Sequence, residues 1–115
     1  VNASFNQNSY NPGDNLQFSG DILTALTSFD LYAAIVMPNG VFFTITNPLA
    51  FSNPNEIKPY MTNMQFSGTM KIFELKLPSG IAGSYSGCIV ATTPGSNAAD
   101  VANWLDYDCK GITIN

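Results

Sequence analysis

The chain has 115 residues, 45% of them hydrophobic and 12% aromatic, a balance that suits one domain with one core and excludes a disordered chain. Four lysines, no arginine and eight acidic residues give a net charge of -4, so no basic stripe is available to neutralise a phosphate backbone and nucleic acid is not expected as a partner. No apolar run reaches the roughly 18 to 20 residues of a membrane span, and Val1 opens directly into strand-like sequence without a leader, the pattern of a mature soluble chain that does not insert into membranes.

Apolar and polar residues alternate along the chain, with Gly, Pro and Asn as punctuation and no helical period sustained over three turns, so the expected class is all-β. Residues 1–10 read as a first strand closed by the turn Asn11-Pro12-Gly13-Asp14, after which Leu16, Phe18 and Ile22 share one face of a second strand around Gly20. Residues 29–37 form the next strand. Phe29, Leu31, Ala33, Ile35 and Met37 point one way and Tyr32, Ala34 and Val36 the other, so both faces are apolar, as in a central strand with a cover on each side. Pro38-Asn39-Gly40 then turns the chain into residues 41–46, a hairpin in which Asn-Gly is expected to supply the positive φ of a short loop.

Order weakens over residues 47–68, which carry Pro48, Pro54 and Pro59 amid Asn and Ser; a short edge strand is expected at residues 64–67. Residues 70–77 restore alternation, with Phe73, Leu75 and Leu77 inward and Glu74 and Lys76 outward, up to the turn Pro78-Ser79-Gly80. In the penultimate strand Tyr85, Gly87, Ile89 and Ala91 share one face and Cys88, Val90 and Thr92 the other. Leu105, Tyr107 and Cys109 lie on the matching face of the last strand. Residues 96–104 can hold one helical turn, capped by Ser96 or Asn97. With no repeat and no linker, one domain is expected to span residues 1–115.

Two cysteines allow one pairing, and strand alternation places Cys88 and Cys109 on the same side of facing strands, where a bridge ties the final hairpin. A bridge implies an oxidising compartment, and closing a loop of about 20 residues contributes about 3 kcal/mol in the chain-entropy model. The alternative is two reduced, buried thiols.

The turn YNPGD (residues 10–14), the run LYAAIVMPNGVFF (residues 31–43) and PSGIAGSYSGCIVA (residues 78–91) together resemble bacterial extracytoplasmic immunoglobulin-like domains. The resemblance spans most of the chain and implies an immunoglobulin-like antiparallel β-sandwich of about seven strands, with Tyr85 at a tyrosine corner; the core Cys-Trp-Cys arrangement of antibody domains is missing. More weakly, the chain is similar to the globular β-sandwich chains that accompany a separate short helical pilin in two-chain type IV filaments.

The absence of histidine removes the commonest proton-transfer group and metal ligand, so Ser-His-Asp and Cys-His chemistry are excluded within this chain. Asp106 and Asp108 are the best carboxylate pair, about 6 to 7 Å apart on one face of a strand, but read as solvated charges on an edge. Calcium held by Asp100, Asp106 and Asp108 lacks the loop it needs, so no metal or cofactor is expected. The sequon at Asn2 reads as a chance tripeptide. Trp104 and Tyr107, with Tyr32 and Tyr60, could form a platform on which sugar rings stack, which makes a carbohydrate-binding module the alternative function. The main expectation is a non-enzymatic structural or interaction domain of a secreted or cell-surface assembly, extracellular or periplasmic, such as a filament subunit. Its protein partner, or a further copy of itself, meets Tyr32, Val36 and Phe42, and residues 47–64 form an arm over that partner.

Overall fold

Residues of alternating polarity become strands wherever a partner strand pairs their backbone and a core takes one face. In a computed structural model describing residues 1–22, 28–47 and 49–115, ten strands form. In chain order they are β1 (Asn2–Phe5), β2 (Ser9–Tyr10), β3 (Asn15–Ile22), β4 (Phe29–Val36), β5 (Phe42–Thr46), β6 (Ala50–Phe51), β7 (Met61–Met64), β8 (Gly68–Lys76), β9 (Gly83–Thr92) and β10 (Trp104–Ile114). A three-stranded sheet, β1-β3-β8, faces a seven-stranded sheet, β2-β10-β9-β4-β5-β6, with β7 added beside β4. The result is a two-sheet β-sandwich with one disulfide. Three short strands, β2, β6 and β7, raise the number above the expected seven, and β2 pairs parallel to β10 in an otherwise antiparallel fold.

The inward rows meet as the alternation requires. Leu16, Phe18 and Ile22 of β3 pack against Leu31 and Ala33 of β4 and Ile89 and Ala91 of β9 in one buried cluster. Gly87 lies under the stacked rings of Phe5 and Phe18, whose centroids are 4.7 Å apart. A Cβ there would come within 2.6 Å of both rings, so only glycine lets β9 approach so closely. The Tyr85 hydroxyl donates to the Ile81 carbonyl at 2.7 Å, the bond of a tyrosine corner.

Four local expectations are corrected. Residues 1–10 are two strands in different sheets, because Asn6 breaks the run. Its side-chain oxygen accepts from Gln17 N at 3.0 Å and from the Tyr10 hydroxyl, which itself accepts from Gln7 N. The Asn-Gly pair of the β4–β5 hairpin does supply the expected positive φ, at Gly40 (89°), while the Asn39 side chain accepts from Val41 N. Residues 47–68 hold two short strands, β6 and β7, and β7, beside Phe29 and Leu31, ends at Met64, where the expected strand begins; Pro48 of this stretch lies outside the described residues. In β8 a bulge opposite Phe18 and Ser19 leaves Ile72 without a cross-strand partner and buries both Ile72 and Phe73, while Leu75 is 38% exposed at the mouth of a cleft. The helical turn is a 3₁₀ turn, Val101–Asn103, capped by Asp100 through Ala102 N rather than by Ser96 or Asn97.

Candidate functional site

The outer face of the large sheet carries the residues that strand alternation turns away from the core. Tyr32, Ala34 and Val36 line the middle of it, because their neighbours Leu31 and Ala33 face inward. Cys88 and Val90 of β9 sit opposite Ala34 and Tyr32 across the ladder, and Thr44 of β5 sits opposite Ala34 on the other side. These residues floor a trough of about 330 Å³. One wall is Trp104 with Ala98 and Ala99; the other is Phe42 with Ile57. No lining residue is charged. Tyr32, Val36 and Phe42, singled out from sequence, therefore come together in one depression.

The walls are held by polar bonds made beneath them. Thr44 Oγ1 accepts from Lys58 N at 3.1 Å and donates to the Glu56 carbonyl at 2.8 Å, while Ser52 N donates to the Thr44 carbonyl at 2.9 Å. Residues 49–58 are thus folded onto the edge of their own β5, contributing Ile57 to the wall, instead of reaching outward as an arm. Glu56 pairs with Lys58 at 3.0 Å, and that contact holds its carboxyl below the ordinary range. On the other wall the Trp104 indole N–H donates to the Ala98 carbonyl at 2.8 Å, pinning the loop after β9 against the sheet.

Cys88 and Cys109 are bonded to each other directly across β9 and β10, on the outer face, with Cys88 in the trough floor and Cys109 exposed. An intramolecular disulfide is consistent with an oxidising environment. Asp106 and Asp108 share a face; Asp106 is exposed, as a solvated charge would be, whereas Asp108 is not. Asp108, half-buried, accepts from Ala3 N at 2.7 Å, and the exposed Asp106 accepts from the Val1 nitrogen, a hydrogen bond that lowers the Asp106 pKa. Asp108 therefore fastens β1, the edge of the small sheet, to the large one.

The aromatic residues do not make a flat surface. Trp104 and Tyr107 meet edge-on, 62° between planes and 5.3 Å between centroids, and Tyr60 is buried with its hydroxyl donating to the Ile72 carbonyl. Stacking on a pyranose needs exposed, coplanar rings, so this geometry argues against the sugar platform. Asp100 is committed to its cap, and among the described residues no three His, Cys, Asp or Glu side chains gather around a common point.

Two features escaped the sequence reading. Asp30 is 4% exposed and accepts from Asn63 N at 2.7 Å and Gly95 N at 2.9 Å, joining β4 to the β7 segment and to the loop after β9. Its signal was a lone carboxylate in an apolar strand, a group that burial tolerates only with full hydrogen bonding. Its charge, together with burial, raises the Tyr32 pKa, burial being the larger cause. The second feature is an apolar cleft of about 270 Å³ between the two sheets, which depends on strand order and has no local signature. Comparison of the chain with protein-family models, with curated proteins and with solved structures returned no match.

Proposed function

We propose that this protein is a non-enzymatic interaction module of a secreted or cell-surface assembly, and that the outer trough receives an apolar helix of a partner chain, as in a pilus-type filament. The observation that carries this reading is the uncharged trough floored by small side chains on β9, β4 and β5. Three adjacent strands set their outer members about 10 Å apart, which matches the width of one α-helix of about 10 Å. Small residues in the floor, Ala34, Thr44 and Val90, allow a close approach, while Trp104, Phe42 and Ile57 grip the sides. Burying such a surface removes apolar area from water without desolvating a charge. The missing histidine and the use of Asp108 in holding β1 support a role without catalysis. The disulfide supports export.

The test is to replace Val36 or Phe42, each partly exposed, by Glu in cells that make the protein. Both variants are expected to keep the wild-type circular dichroism and melting temperature. In the sheared surface fraction, light scattering should find the wild type in species well above 12.4 kDa and the variants as monomers. Unchanged high-mass species in both variants would make this an isolated spacer domain.

A further inference from the structure

The small sheet is too narrow for the sheet it covers. Phe5 of β1 and Phe18 of β3 lie over Gly87 of β9, and Gly20 of β3 lies over Ile89. Stepping one strand further along each sheet puts β8 over β4, so that β5 and β6 continue past the last strand of the small sheet. The apolar cleft opens at one end of the sandwich, from Ile112 and Ile114 of β10 across to Phe43 and Phe51, and so extends into this overhang. In the overhang Leu75 and Leu77 line it from one side and Ile35, Phe43 and Phe51 from the other, and deeper in the sandwich Leu16 faces Ile112 and Ile114. Phe51 leans back to meet Phe73 edge-on, with centroids 5.9 Å apart, yet remains 48% exposed.

The same place holds an unpaired backbone edge. Among the described residues β8 pairs with β3 alone. The Tyr60 hydroxyl bonds the Ile72 carbonyl, but from Phe73 to Lys76 no described strand flanks the other side. A strand edge beside an apolar cleft asks for one kind of occupant: backbone that pairs with the edge, carrying side chains that fill the cleft at every second position.

We propose that one extended segment of a partner chain adds to β8 here, inserting alternate apolar side chains opposite Phe43 and Phe51. Its outward positions, next to Lys76, suit an acidic residue. A folded second copy docking through its own β8 would bring its β5 and β6 into the space the overhang already occupies. An acyl chain would fill the apolar side but would cover the N–H and C=O groups of β8 without bonding them. The inference is independent of the outer trough, which lies on the opposite face of the large sheet.

The probe is a synthetic peptide of about nine residues that alternates valine with threonine and carries one glutamate at an outward position. The wild-type protein is expected to bind it 1:1 by calorimetry and to show slowed amide hydrogen exchange at residues 73–76. Leu75→Glu and Phe51→Glu, both at partly exposed sites, should weaken the Kd by about tenfold or more, through a charge set in the cleft. Val36→Glu, in the trough, should leave the Kd unchanged. Absence of binding, binding without protection of residues 73–76, or equal loss in Val36→Glu would each overturn the proposal. Laurate that saturates the cleft where the peptide fails would overturn it too, identifying an acyl-chain site.

Discussion

At the scale of single residues, Asp30 and Gly87 hold the most. Each oxygen of the Asp30 carboxylate accepts one backbone N–H, from Asn63 of β7 and from Gly95 in the loop after β9. Charge-assisted bonds of this kind are strong, and removing the acceptor leaves buried donors unpaired. Asp30→Ala is therefore expected to lower the unfolding free energy by about 2 to 4 kcal/mol in urea titrations. Asp30→Asn should recover less than half of that, because one of its two terminal atoms is a donor set against a donor. Gly87 works by absence. Gly87→Ala drives a methyl into Phe5 and Phe18, and a loss of about 1 to 3 kcal/mol is expected by the same titration, with near-ultraviolet dichroism reporting the displaced rings.

At the scale of elements, legibility followed the range of the cause. The β3, β4 and β9 faces were readable because an alternation of two is a local consequence of the pleat, and the Cys88–Cys109 pairing followed from two such faces meeting across a hairpin. The break of residues 1–10 into β1 and β2 was not, since it depends on Asn6 meeting Gln17 and Tyr10. Neither was the bulge at Ile72, which is set by the partner strand. In the candidate site, Tyr32, Val36 and Phe42 were legible from a strand apolar on both faces, whereas Ile57, Ala98 and Ala99 arrive from loops whose path no periodicity marks. The last hairpin carries two further predictions. Replacing Cys88 and Cys109 together by alanine should reduce stability by about 3 kcal/mol while leaving the β9–β10 ladder intact. Asp108→Ala should act locally, freeing the Ala3 amide and accelerating hydrogen exchange in β1 while the exchange of β9 stays at its wild-type rate.

The whole molecule is built almost without groups that titrate near neutrality. It has no histidine, and its two cysteines are bonded to each other, so side-chain protonation changes lie toward acid or alkali. On the alkaline side, burial raises the pKa of Tyr10, Tyr32 and Tyr60 above the ordinary value of 10.0. A raised pKa means the folded state holds these protons more tightly than the unfolded chain does. The stability this contributes is complete below pH 10 and is lost as the pH rises through the folded values, because the unfolded chain releases its phenolic protons first. The melting temperature is therefore expected to stay level from about pH 6 to 9 and to fall above about pH 10. Tyr60→Phe isolates the cause, since its hydroxyl makes only a 3.3 Å bond to the Ile72 carbonyl, at modest cost near neutrality. Scanning calorimetry should show a shallower alkaline decline in Tyr60→Phe than in the wild type. Parallel declines would place the cause in Tyr10 and Tyr32 rather than Tyr60.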